Sequence, residues 1–213
     1  MTGTVFLDLD GTLVDPARGM TAALGHALRT LGVNPPEDLA QFIGPPLRET
    51  FAALGADPEE GLRLYRARYG DGALFEAHVY PGIPEALDRM GRQHRLCLAT
   101  AKPHVFAARV LDHFGLTARI DRLYGPELDG TRDDKADLLA WALDDLDLAP
   151  GNCVMVGDHA NDARAAAAVG MRSIHAAWGH GRDAGPRFTS VARTPTDLPG
   201  AVAAHLARDR GPR

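Results

Sequence analysis

The chain has 213 residues, 45% hydrophobic and 24% charged, the balance of an ordinary globular protein rather than a disordered or fibrous one. Its formal net charge of −5 and pI near 6.0 give no electrostatic case for a nucleic acid polymer or an anionic membrane as partner, and no apolar run approaches the ~18 residues that a membrane span needs. The start of the chain lacks the pattern of a secretion signal, and Cys97 and Cys153 have no Cys-x-x-Cys partner, so a cytoplasmic protein with two reduced core thiols is expected.

The first apolar run, Thr4–Asp8, predicts a buried strand that ends in Asp8-Leu9-Asp10-Gly11-Thr12. Two carboxylates two positions apart at a strand end reach one small volume, where like charges raise a pKa unless a cation compensates them. Oxygen ligands alone favour Mg²⁺, which takes one or two carboxylates and completes its octahedron with water and phosphate oxygens. Gly11 allows a tight backbone turn without a side chain in the way.

Between Asp15 and Val79 the strand pattern disappears. Apolar spacing there predicts helices over Arg18–Leu31, Pro36–Phe42, Pro46–Leu54 and Pro58–Tyr69, and Tyr80-Pro81-Gly82 marks a return to the earlier pattern. The expected organisation is an all-helical cap, residues 15–79, inserted into an α/β core made of residues 1–14 and 80–213. Pro45 and Pro46 fit a helix start, which puts Arg48 in a first turn, either facing a substrate anion or standing in solvent.

Beyond the insertion, strands at Leu96–Thr100, Ile120–Tyr124, Cys153–Gly157 and Arg172–His175 alternate with helices near Ile83–Gln93, His104–Phe114, Asp133–Leu146, Asn161–Val169 and Asp197–Ala207. This alternation predicts a Rossmann-like parallel sheet, in which ligands lie beyond the carboxyl ends of the strands. Asp8, Thr100 and Asp158 then converge on one crevice. Gly157-Asp158-His159-Ala160-Asn161-Asp162 adds acidic groups at a helix start, where Asp162 either serves the site or complements the helix dipole, and His159 either joins the site or fills its rim. Only two of 23 basic residues are lysines, Lys102 and Lys135, and both stand where a phosphoryl group among carboxylates needs positive charge; the alternative for each is a surface position. Trp178 reads as a loop anchor, and Arg208–Arg213 as a frayed tail.

These motifs, in this order, resemble those of the haloacid dehalogenase superfamily of phosphatases, and the resemblance covers essentially the whole chain. Asp8-Leu9-Asp10-Gly11-Thr12 is similar to the first family motif, Thr100 to the second, Lys135 to the third, and Gly157-Asp158 through Asp162 to the fourth. The resemblance implies that Asp8 attacks phosphorus and becomes an aspartyl-phosphate, and that Asp10 protonates the leaving group and then activates water. It also implies Mg²⁺ held by Asp8, the backbone carbonyl of Asp10 and Asp158, with Asp162 and His159 behind them. Thr100 would hold a phosphoryl oxygen and Lys135 would balance charge, while Gly11, Thr12, Arg48, Ala101 and Lys102 would meet the substrate.

Phe42-Ile43-Gly44-Pro45-Pro46-Leu47-Arg48, Tyr80-Pro81-Gly82, Ala99-Thr100-Ala101-Lys102-Pro103 and Trp178-Gly179-His180-Gly181 resemble the phosphoglycolate-phosphatase-like and 5′-nucleotidase-like members. Leu128-Asp129-Gly130-Thr131-Arg132 tips the resemblance towards the nucleotidases. The expected activity is therefore Mg²⁺-dependent hydrolysis of a small phosphorylated metabolite, a nucleoside 5′-monophosphate first and 2-phosphoglycolate second, by a monomer or homodimer. A dehalogenase would not need Asp10, and phosphonate hydrolysis would need a cap lysine, which 15–79 lacks. A sugar phosphomutase and a non-catalytic binding protein on the same scaffold stay open.

Overall fold

The computed structural model describes residues 3–44, 46–181 and 188–207, so Pro45 and the Arg208–Arg213 stretch lie outside the described residues. In chain order the elements are β1 (Thr4–Leu7), β2 (Val14–Asp15), α1 (Ala17–Thr30), α2 (Leu47–Ala53), α3 (Pro58–Gly70), β3 (His78–Val79), α4 (Ile83–Gly91), β4 (Arg95–Ala99), α5 (His104–His113), β5 (Arg122–Tyr124), α6 (Lys135–Asp145), β6 (Cys153–Gly157), α7 (Ala160–Ala168), β7 (Arg172–Ala176), β8 (Ser190–Ala192) and α8 (Leu198–Ala207). They form two compact units, one built from the chain up to Val14 and again from Val79 onward, the other from Asp15–His78.

The first unit is organised by a six-stranded sheet in the order β5-β4-β1-β6-β7-β8, with every pairing parallel. Parallel strands covered on both faces need continuous apolar sequence, and β1 (TVFL), β4 (RLCLA) and β6 (CVMVG) supply it. Register places Phe6 of β1 between Cys97 of β4 and Met155 of β6. On that face the three pack with Tyr124, with Leu138, Leu139 and Ala142 of α6, and with Ala165 and Ala166 of α7. Because side chains alternate along a strand, Val5 and Leu7 project to the opposite face. Helices α4 and α8 pack against each other and against β4 and β6 respectively.

From β1 the chain builds outward to β4 and β5, then crosses to the other side for β6, β7 and β8. That reversal leaves the carboxyl end of β1 at the switch point of a doubly wound sheet, where the two halves diverge and a ligand crevice opens. Asp134 fixes where α6 starts: its carboxylate accepts the amides of Ala136 (2.7 Å) and Asp137 (3.1 Å), an N-cap that makes Lys135 the first helical residue.

The second unit is helical, with α3 packed against both α1 and α2. Phe51 of α2 is fully buried against Gly61 of α3, where a Cβ would come within 2.6 Å of the ring, so only glycine lets the helices approach this closely. Asp57 caps α3 by accepting from Glu60 N at 2.8 Å, and Pro58 follows at its first position.

The sequence pattern misleads at Pro36–Phe42, where no α-helix forms and only Ala40–Phe42 makes a 3₁₀ turn. The Asp38 carboxylate accepts from Ala40 N at 2.9 Å, a local bond that competes with a helix ladder too short to repay its nucleation. Strand β8 has no apolar run to announce it, since Ser190–Ala192 is a three-residue edge with Val191 exposed. Other helix ends differ from the expected ones by one to a few residues, within the usual fraying of termini. Among the described residues no helix is long and apolar enough to cross a membrane.

Candidate active site

Asp8 is the residue after β1, and its amide donates to Val156 O at 2.9 Å, which ties it to the end of β6. The chain then reverses at once: Leu13 and Val14 both donate to Leu9 O, and Gly11 donates to Val14 O at 2.8 Å. Gly11 takes φ 77°, a conformation that favours glycine, and a Cβ there would overlap the Asp158 carboxylate. The turn thus sets Asp8 and Asp10 beside the end of β6.

Each of these two carboxylates has its own ammonium. Lys135 Nζ lies 3.0 Å from Asp8 Oδ1 and also donates to Asp162 Oδ1, while Lys102 Nζ lies 2.6 Å from Asp10 Oδ2. Both lysines are buried, at 3% and 7% exposure, which rules out the surface alternative for either. Lys102 is held by the turn after β4, where its amide donates to Thr100 Oγ1 at 3.2 Å and Thr100 N donates to Tyr124 O. Ala101 between them is exposed.

Asp158 follows β6, and its Oδ2 accepts two backbone amides, from His180 at 2.8 Å and Gly181 at 3.0 Å. Asp162 does two things. In the first turn of α7 its Oδ2 accepts from His159 N at 3.0 Å, and its Oδ1 takes Lys135. His159 is the N-cap of that helix, with Nδ1 accepting from Asn161 N at 3.3 Å, so its ring caps the helix start. Gly157 makes this crowding possible, because a Cβ there would overlap the Asp162 carboxylate.

Burial pushes the Asp158 and Asp162 carboxyls up to about 6. The Asp8 charge adds to the shift at both, and Lys135 opposes it. Burial likewise raises Asp10 against the pull of Lys102. For Lys135 burial alone would lower the pKa, but Asp162 and Asp8 together outweigh it and keep the ammonium charged. The Cys97 and Cys153 thiols, buried in the core, are pushed up to about 12 and are inert.

Four carboxylates against two ammonium groups leave a formal excess of two negative charges in one buried volume. Single oxygens of Asp8, Asp158 and Asp162 lie within 4.8 Å of one another, and Asp10 Oδ1 and Thr12 Oγ1 are buried without a hydrogen bond. An all-oxygen donor set with that charge fits a hard divalent cation. Both Asp162 oxygens are engaged, Oδ1 by Lys135 and Oδ2 by His159 N, which leaves Asp8 and Asp158 as the better candidates for ligands.

The structure brings Asp8, Asp10, Gly11, Thr12, Thr100, Lys102, Lys135, Asp158 and Asp162 together within the first unit. Arg48 is in the other unit, about half exposed, and its guanidinium grips Glu59 at 2.7 and 3.1 Å. Two relations escape sequence reasoning: the pairing of Lys102 with Asp10, and the amides of His180 and Gly181 on Asp158. The first has no signal in spacing; the second was signalled only by glycines flanking His180.

A doubly wound parallel sheet with a buried acidic cluster at its reversal, and a helical unit inserted after the first strand, defines a Rossmann-like α/β protein with a candidate cation site. The model of haloacid dehalogenase-like hydrolases matches residues 5–176, and the chain belongs to that family. It is 40% identical over 186 residues to a 5′-nucleotidase of Pseudomonas aeruginosa, covering 84% of each chain. It is also 41% identical over 183 residues to the tyrosine-protein kinase PtkA of Mycobacterium tuberculosis, covering 84% of this chain but 63% of that protein. Among solved structures, a haloacid dehalogenase-like hydrolase of Streptococcus pneumoniae superposes with a TM-score of 0.86 at 27% identity, covering 93% of this chain and 97% of that one.

Proposed function

We propose that this chain hydrolyses small phosphomonoesters through an aspartyl-phosphate on Asp8, with nucleoside 5′-monophosphates as the preferred class. The observation that carries the reading is the separate pairing of two adjacent carboxylates. Lys135 Nζ stands 3.0 Å from Asp8 Oδ1, an ammonium beside the proposed nucleophile, while burial favours a proton on Asp10, which Lys102 contacts. Asp8, Asp158 and the backbone carbonyl of Asp10 would hold Mg²⁺, which would supply positive charge to the transferring phosphoryl group.

In the first half-reaction an Asp8 oxygen forms a bond to phosphorus as the ester P–O bond breaks, and Asp10 passes its proton to the departing alkoxide. In the second, Asp10 takes a proton from water, whose oxygen bonds to phosphorus as the Asp8–phosphorus link breaks. Inorganic phosphate leaves and both carboxylates are restored. Thr100 and Lys102 face the phosphoryl oxygens, and the helical unit acts as the cap that selects the rest of the substrate. The nucleotide preference rests on the likeness to the Pseudomonas 5′-nucleotidase and on Leu128–Arg132.

The test is a panel of nucleoside 5′-monophosphates, 2-phosphoglycolate and a generic aryl phosphate, assayed with Mg²⁺, with Ca²⁺ and after exhaustive chelation. Hydrolysis with Mg²⁺, little with Ca²⁺, and none after chelation is expected, because Ca²⁺ prefers more ligands and longer bonds and loosens the in-line geometry. Full activity after chelation would overturn the cation reading. Transfer of a phosphoryl group from ATP to tyrosine, with every ester left intact, would overturn hydrolysis itself.

A further inference from the structure

We infer that Trp178-Gly179-His180-Gly181 is a positioning segment that fixes the Asp158 carboxylate in one orientation and thereby sets the affinity of the site for its cation. The inference rests on the proposed role of Asp158 as a cation ligand. The amides of His180 and Gly181, at 2.8 and 3.0 Å, both donate to Oδ2, and Oδ1 is then the oxygen assigned to coordinate. Paired donors on one carboxylate oxygen hold both the side-chain torsion and the position of its partner oxygen, as outer-layer partners of metal ligands do.

The segment is itself anchored from both ends of its contact. Trp178 Nε1 donates to Thr12 O at 3.0 Å, which ties the loop after β7 to the loop after β1 that carries Asp8 and Asp10. Gly179 N donates back to Ala176 O at 3.2 Å and keeps the turn tight. Neither glycine can be larger: a Cβ on Gly179 would overlap Asp158 and Gly11 O, and one on Gly181 would overlap the Asp158 backbone carbonyl. Gly11, from the loop after β1, closes on the same carboxylate. The Asp158 side chain is therefore wedged between glycines from two loops, with a tryptophan hydrogen bond locking the loops together.

The test measures Mn²⁺ binding to metal-free protein by electron paramagnetic resonance, beside thermal melting, for the parent, Gly179→Ala, Gly181→Ala, Trp178→Phe and a control, Gly200→Ala. A Cβ at Gly200 meets nothing within 4 Å, so that variant should bind as the parent does. Each alanine in the loop should weaken Mn²⁺ binding by about 10–100-fold. Trp178→Phe keeps the aromatic bulk and removes only the N–H, and should weaken binding by about tenfold while melting near the parent. Raising Mg²⁺ should then restore kcat of Trp178→Phe, which a general loss of packing would not allow. Folded variants that bind Mn²⁺ like the parent would overturn the inference and leave the hydrolase reading standing. If the glycine variants fail to fold, Trp178→Phe decides alone. A parent that binds no Mn²⁺ would instead reject the cation site itself, and the inference with it.

Discussion

Asp8→Asn is expected to remove turnover, by on the order of 10⁴-fold or more in kcat, while leaving the fold intact. An amide has the shape of the carboxylate but neither its charge nor its nucleophilicity, so no acyl phosphate can form. The fold should tolerate the change for an electrostatic reason. Asp8 sits among like charges and helps to push Asp158 up to about 6, so its neutralisation relieves repulsion even as it removes a partner of Lys135. Lys135 keeps Asp162. Steady-state kinetics beside a thermal melt checks both halves, and a folded Asp8→Asn protein with near-parental activity would sink the nucleophile assignment.

Lys135→Arg is expected to lose on the order of 10²-fold or more in kcat, the scale of removing one preorganised charge at a reacting oxygen, while the protein stays folded. In a chain with 23 basic residues and only two lysines, both lysines are found buried on the proposed acid–base and nucleophilic carboxylates. The geometry shows why lysine is needed at 135. Its ammonium lies between Asp8 Oδ1 and Asp162 Oδ1 at 3% exposure, a gap for a compact point charge rather than for a planar fork that donates along fixed directions. Lys135→Met should behave differently and lose about 3–5 kcal/mol of stability, because it strands buried carboxylates without their counter-charge. Chemical denaturation separates the two variants. If Lys135→Arg is nearly as active as the parent and Lys102→Arg is the crippled one, the charge that matters belongs to Asp10.

Much of this was legible in sequence because chemistry and fold share the same residues. A run such as Val5-Phe6-Leu7, bounded by Gly3 and by Asp8-Leu9-Asp10-Gly11, reads as a short strand buried on both faces, and the polar residue that ends it then stands at the sheet's carboxyl edge. That reasoning reaches Asp8, Thr100 and Asp158 without any structure. It fails where local and tertiary terms compete. Asp38 diverts Pro36–Phe42 from a helix with one side-chain bond, and β8 exists because β7 offers it an edge, through no pattern of its own. Partner choice is also invisible in one dimension. Nothing in spacing tells that Lys102 serves Asp10 while Lys135 serves Asp8 and Asp162, or that Arg48 is held by Glu59, since these depend on where the β4 turn, the α6 cap and the α3 face come to rest. That the His159 ring also caps α7 is hidden in one dimension for the same reason.

The central claim, a covalent intermediate on Asp8, is tested most directly by a single-turnover reaction quenched in acid, with the protein mapped by mass spectrometry after borohydride reduction. A phosphoryl adduct that appears and decays within the turnover, with reduction products confined to Asp8 and absent from Asp8→Asn, is the predicted result. Phosphate released with no phosphoenzyme at any time, or an adduct on a residue other than Asp8, would contradict it.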